Sequence, residues 1–204
     1  VVLRPSGWYV QCVCETETHP LPKKDNAVGL DMGIRYLIAD SHGQIVENPK
    51  HAKKSAKTLA HHQRKLAKCK KGSHRRRKAK KVVARTHERI ANQRKDTLHK
   101  ASHKYVKQYQ TIVIEDLKPA NMGRNHCLAF AIADASWGMF RQFLENKAES
   151  AGRQMIAVAP HYTSQKCSQC GESVQKSLSV RTHVCPLLWL HCRSRRKCSK
   201  KHPA

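Results

Sequence analysis

Acidic side chains are scarce in this sequence: 14 Asp+Glu stand against 40 Lys+Arg in 204 residues, and none occurs after Glu172. The deficit leaves a formal charge of +26. Self-repulsion on that scale opposes compaction. It is expected where Lys and Arg displace counterions from nucleic-acid phosphates. An anionic membrane attracts the same charge. However, no run of about 18 apolar residues is present and no apolar signal segment follows a basic start, so a membrane role is not expected. Aromatics make up only 5% of the chain, which limits the core, yet apolar runs recur and argue against disorder. No G-x-x-x-x-G-K-[S/T] loop occurs, so NTP hydrolysis is not expected. A Ser/His/Asp triad has no support: half of the 14 His lie in the basic segment, where they add charge at low pH or fill surface. The 9 Cys are an odd count, and Cys167 and Cys170 have C-x-x-C spacing. Both points argue against a secreted disulfide framework and for a reducing, cytoplasmic setting.

Trp8–Cys14 alternates as a strand does. A polar, Pro-containing stretch from Glu15 to Asn26 reads as a linker. Ala27–Asp31, Tyr36–Ala39 and Gln44–Glu47 read as an antiparallel meander with a turn at Ser41–Gly43. From Pro49 to about Tyr109 the strand signals stop, and roughly half of all basic residues gather there. Leu59 with Leu66, and Val83 with Ile90, fall on helical faces, and Lys70–Ser73 interrupts the pattern. Two long basic helices joined by a turn are therefore expected. Such a hairpin is either a solvated surface or a support for a phosphate backbone. With only Glu88 and Asp96 as acids in Lys50–Lys104, the second reading is favoured. Its candidate nucleic-acid contacts are Lys53, Lys54, Arg64, Lys68, Arg75, Arg76, Arg77, Lys80 and Lys81. Thr111–Leu117 is a continuous apolar run capped by acids, expected as a central strand. One helix is expected over Leu128–Glu149, with Phe140, Phe143 and Leu144 on its apolar face, and a last strand over Gln154–Ala159.

The order β-β-β-α-β-α-β suits an RNase H-like α/β core with a mixed sheet. In it the first strand lies beside the strand after the first helical segment. Asp31 and Glu115 each end such a strand, so the topology would bring two distant carboxylates together. Hydrolysis of a phosphodiester can use two divalent ions about 3.5–4 Å apart. Hard ions such as Mg2+ or Mn2+ take carboxylate oxygens. Taken singly, Asp31 could merely cap a turn and Glu115-Asp116 could be a surface pair.

Four stretches resemble the TnpB-type proteins, the OrfB products of bacterial insertion sequences and relatives of type V CRISPR effector nucleases. Val28-Gly29-Leu30-Asp31-Met32-Gly33-Ile34, continued by Gly43–Lys50, resembles the first RuvC motif. Ile112-Val113-Ile114-Glu115-Asp116-Leu117 resembles the second. Asp134-Ala135-Ser136-Trp137-Gly138 and Tyr162–Gly171 resemble the family's helix and zinc-ribbon opening. The resemblance implies a RuvC nuclease, in a bacterial or archaeal cell, that uses guide RNA to cut DNA. It assigns Asp31 and Glu115 as catalytic ligands of Mg2+ or Mn2+, and Cys167, Cys170 and Cys185 as ligands of Zn2+. It also implies upstream wedge and recognition regions, of which Trp8–Cys14 would be the last strand. The expected organisation is a wedge remnant and linker over 1–26, a RuvC core over 27–162 with a basic helical insertion over 49–109, a small partial zinc ribbon over 163–186, and a tail over 187–204.

The tail departs from the family pattern. The family ribbon closes with Cys-Pro-x-Cys-Gly, and an Asp-x-Asn-Ala-Ala segment then supplies a third catalytic acid. Here Cys185-Pro186 is followed by Leu187–Cys198, without an acid. Codons for Leu188–Lys200 displaced by one base permit Cys-Gly-Tyr-Ile-Ala-Asp-Arg-Asp-Glu-Asn-Ala-Ala, the family's ending. A one-base insertion near Leu187–Leu188 accounts for this; ordinary divergence is the alternative. Structural zinc takes four ligands, and with Leu188 at the fourth position, Cys192 or His191 could substitute. The expectation is a nuclease architecture whose cutting is impaired. The alternatives are a catalytically dead nucleic-acid-binding relative or a decaying transposon relic.

Overall fold

The computed structural model describes residues 1–15, 17–159, 170, 173–174, 182–184 and 191–193. The chain opens with a small antiparallel hairpin, β1 (Val2–Arg4) and β2 (Gly7–Tyr9), in which Leu3 faces Trp8. The strand expected over Trp8–Cys14 ends at Tyr9, and Val10 and Val13 are exposed. Alternation alone does not make a strand, because a ladder needs a partner.

A five-stranded mixed sheet follows, formed by β3 (Ala27–Met32), β4 (Tyr36–Asp40), β5 (Ile45–Glu47), β6 (Thr111–Glu115) and β7 (Gln154–Val158). Its spatial order is β5-β4-β3-β6-β7. The first three strands form an antiparallel meander, whereas β3–β6 and β6–β7 pair in parallel. Asp40 shapes the β4–β5 turn: its Oδ1 accepts from the His42 and Gln44 amides at 3.0 and 2.8 Å. Gly43 completes the turn with φ 86°, a conformation costly for any side chain with a Cβ.

Between β5 and β6 run α1 (His51–Ala67) and α2 (His74–Gln108), the expected basic hairpin. Ser73 caps α2 by accepting from the Arg76 amide at 3.2 Å. The buried residues of α2 begin at Ile90 and continue through Leu98, Ala101, Ser102, Tyr105 and Val106, at helical spacing. The second half of α2 is thus core, while its first half projects with α1, which has no buried residue. After β6 come α3 (Pro119–Met122), α4 (His126–Ala135) and α5 (Trp137–Ser150). The single helix expected over Leu128–Glu149 is broken at Ser136, which takes the left-handed φ of 52°. Phe140 and Leu144 are fully buried as expected, and Phe143 packs against the core from its margin. A short ladder of β8 (Thr182–Val184) and β9 (His191–Arg193) lies towards the C-terminus.

One face of the sheet carries the main core. Val28, Leu30, Met32, Ile112 and Ile114 cluster with Leu98 and Tyr105 of α2 and with Phe140 and Leu144 of α5. Side chains alternate along a strand, so Gly29, Asp31, Val113 and Glu115 belong to the other face. The end of the linker packs on the sheet domain: the Leu21 amide donates to the Ala151 carbonyl at 3.0 Å and Lys24 Nζ to the Lys107 carbonyl at 2.9 Å. The buried Arg153 donates to the carbonyls of Pro22 at 2.9 Å and Val106 at 3.2 Å, and to Gln110 Oε1 at 2.6 Å.

Candidate metal centre and nucleic-acid interface

The parallel β3–β6 register pairs Ala27 with Thr111, Val28 with Ile112, Gly29 with Val113 and Leu30 with Ile114. The same offset, carried one residue further, sets Asp31 beside Glu115. Both are half-buried, and both still belong to their strands: Asp31 pairs with Ala39 of β4, and Glu115 with Val158 of β7. Adjacent strands lie about 4.8 Å apart, and residues level with one another on parallel strands share a face. Two carboxylates so placed repel one another when ionised, a repulsion that a cation relieves. They offer the oxygen donors that a hard divalent ion takes. Among the described residues no group of three or more His, Cys, Asp or Glu side chains converges as a metal site.

The nearby acids are engaged elsewhere. Asp116 forms an ion pair with Arg141, whose Nε also donates to Glu145 at 2.8 Å. These two carboxylates hold the Arg141 pKa above its ordinary value, with Glu145 the larger influence. Asp40 lies buried in the β4–β5 turn. Asp134, 7% exposed, reaches across the fold to the start of α1. Its carboxylate accepts from the Ala52 amide at 3.0 Å, the Lys53 amide at 3.2 Å and Arg94 at 3.2 Å, and its carbonyl accepts from Arg94 Nε at 3.1 Å. Helix α1 has no acid in its first turn, and Lys50 before it makes no side-chain cap. Asp134 therefore supplies from a distance the anion that a helix start favours.

Of the nine basic residues expected at a nucleic-acid surface, Lys53, Lys54, Arg64, Lys68, Arg75, Arg77, Lys80 and Lys81 are exposed. Arg76 is half-buried and caps the end of α1, donating to the carbonyls of Leu66 and Cys69 at 3.1 Å each. Sequence reading missed a groove of about 560 Å³ between α1 and α2, lined by His51, Lys54, His62, Arg85 and Arg89 among others. It also missed Asp134, although an acid inside the apolar α4 sequence was a usable signal. Of the expected zinc ligands, Cys167 and Cys185 lie outside the described residues. Cys170 is exposed, and Cys192 stands opposite His183 in the β8–β9 ladder. Among the described residues no helix is long and apolar enough to cross a membrane.

Comparison with known proteins gives concordant matches along the chain. The OrfB_IS605 family, described as "Probable transposase", matches residues 11–126, and the TNB domain of Cas12f1-like proteins matches residues 137–199. A "Putative RNA-guided DNA endonuclease" of Streptomyces pristinaespiralis is 40% identical over 192 residues, covering 93% of this chain and 48% of that protein. The Escherichia coli K12 protein InsQ, which carries the same description, is 36% identical over 186 residues, or 83% of this chain and 46% of InsQ. A chain of the "Cryo-EM structure of the Cas12f1-sgRNA-target DNA complex" shares the fold with a TM-score of 0.57 at 16% identity, covering 85% of this chain and 48% of its own. The chain thus spans about half the length of the curated relatives it matches. With more than half of its residues matched by one family, the chain belongs to the OrfB_IS605 transposases, the TnpB type.

Proposed function

We propose that this chain is the nuclease portion of a transposon-associated RNA-guided DNA endonuclease, with an RNase H-like (RuvC) core. Asp31 and Glu115 would hold Mg2+ or Mn2+, and DNA and guide RNA would be its partners. One observation carries the reading: the β3–β6 register sets two acids, far apart in sequence, level on adjacent parallel strands. The sheet order, an antiparallel meander whose first strand continues in parallel into the next two, supports the RNase H-like assignment. The relatives' description as RNA-guided DNA endonucleases supports the partners.

A divalent ion held by Asp31 and Glu115 would supply Lewis-acid polarisation of a phosphoryl oxygen. Asp31 and Glu115 supply two carboxylates, and the strands preset their separation. Asp116 is tied to Arg141 and does not stand in for a third acid. No Asp or Glu follows Glu172, where the family places that third acid. Cutting is therefore impaired, and the one-base insertion near Leu187–Leu188 is its proposed origin. In the tail, Cys167, Cys170 and Cys185 are the proposed zinc ligands, with Cys192 as the replacement fourth.

The missing acid also favours a second reading, a catalytically dead nucleic-acid-binding relative. Cleavage of guided target DNA in Mg2+, run beside filter binding across salt, tests both. Weak cutting abolished by Asp31→Asn, with steeply salt-dependent binding, supports the impaired nuclease. The same binding without any cutting selects the dead relative. Absence of salt-dependent binding contradicts both, and robust cutting contradicts the impairment.

A further inference from the structure

The groove between α1 and α2 has a donor set that the proposed cleavage site does not use. From α1 it is lined by His51, Lys54 and His62, and from α2 by Arg85 and Arg89. None of its lining residues is acidic, and its only aromatic rings are the two imidazoles. Three permanent cations and two imidazoles thus converge on about 560 Å³ of solvent-open space. Arg85 Nε donates to the Pro5 carbonyl at 2.9 Å, which orients its guanidinium. Neighbouring helices that each contribute cations would otherwise repel across this gap, and an anion between them relieves that repulsion.

We propose that this groove is a phosphodiester-binding site, gripped by Lys54, Arg85 and Arg89 and tuned by protonation of His51. It rests on the reading of the chain as a nucleic-acid binder and deepens it, adding Arg85 and Arg89 to the expected Lys54 as the gripping cations. The ligand class is a nucleic-acid backbone rather than stacked bases, because cations dominate the groove and no Phe, Tyr or Trp lines it.

The imidazole chemistry is legible in the hydrogen bonds. Thr97 Oγ1 donates to the Gln93 carbonyl at 3.0 Å, so it accepts from His51 Nε2, also at 3.0 Å. His51 therefore carries its proton on Nε2 and takes up the second on Nδ1. Its charged neighbours are Asp134 from α4, Lys54 from α1, and Arg94 and Asp96 from α2. Burial dominates and holds its pKa below the ordinary value. His62 faces Arg85 and Arg89 across the groove, with His61 edge-on beside it at 5.7 Å. A bound phosphate favours the protonated His51 imidazole, so binding takes up a proton and tightens as pH falls.

The test is fluorescence anisotropy with labelled single-stranded RNA and DNA oligonucleotides across salt, at pH 7.5 and 5.5. Wild type is expected to bind more tightly at the lower pH. The Arg85→Gln/Arg89→Gln double variant should lower the salt slope by roughly 1.4, about 0.7 per lost contact on a single strand. Arg85→Lys/Arg89→Lys should restore it, which separates charge from folding. His51→Gln should remove most of the gain on acidification while leaving the slope at pH 7.5 intact. Comparing the two oligonucleotides assigns the backbone to RNA or DNA. If wild type binds but the groove variants keep its slope and pH response while Arg75→Gln/Arg77→Gln loses slope, the groove is overturned and nucleic-acid binding stands. If wild type shows no salt-dependent binding, both are overturned.

Discussion

Replacing Asp134 with Ala tests what joins the basic hairpin to the core. The side chain is 4% exposed and accepts from two amides at the start of α1 and from Arg94. Loss of a helix cap costs about 1 kcal/mol. Arg94 then loses its carboxylate while only 21% exposed, which adds about 1–3 kcal/mol for a charged donor left poorly satisfied. The 3–5 kcal/mol typical of breaking a fully buried pair is an upper bound here, because water reaches Arg94. Asp134→Ala should therefore destabilise by about 2–4 kcal/mol, or roughly 5–15 °C in Tm for a chain of this size. Asp134→Asn keeps one acceptor oxygen and should lose about half as much. Urea denaturation supplies the free energy. Hydrogen exchange at the Ala52 and Lys53 amides locates the effect, since these should lose protection first. A loss under about 0.5 kcal/mol, within ordinary surface-substitution scatter, with unchanged protection would refute the capping argument.

Arg153→Ala removes three hydrogen bonds of a buried guanidinium, one of them, part-buried, holding the Pro22 carbonyl. It should cost about 2–4 kcal/mol and speed proteolytic cleavage within residues 15–25; a cleavage rate equal to wild type contradicts this. Acidification should destabilise the unliganded fold. His51 and His99 both have pKa values below the ordinary 6.5, first through burial, with Lys147 and Lys95 adding at His99. The unfolded chain then binds more protons, so stability falls as pH drops from about 6.5 through the lower folded values. Urea midpoints at pH 7.5 and 5.5 measure the slope, and His99→Gln should flatten it. A midpoint that rises on acidification runs against the sign.

Long apolar runs made the sheet legible. Ala27–Asp31 and Thr111–Glu115 read as strands because β-branched and aliphatic residues run unbroken into an acid. The hairpin was legible because basic residues surround sparse Leu and Val at helical spacing. The meeting of Asp31 and Glu115 was legible from strand order, whereas the residue-by-residue register of β3 on β6 was not. Nor was the break at Ser136, where the left-handed backbone lies between the buried Ala135 and Trp137. Arg76 was indistinguishable in sequence from Arg75 and Arg77; its hydrogen bonds to the end of α1 separate them. Asp134 lies more than 80 residues from the amides it caps. No local pattern encodes such a contact.

The central claim is that the two acids at the ends of β3 and β6 share one cation. Titrating the protein with Mn2+ while following the free ion by electron paramagnetic resonance tests it most directly. Wild type should take up Mn2+ at a site that Asp31→Asn and Glu115→Gln each remove, and that Asp116→Asn leaves in place because Asp116 is bound to Arg141. Uptake undiminished in both single variants would contradict the shared site.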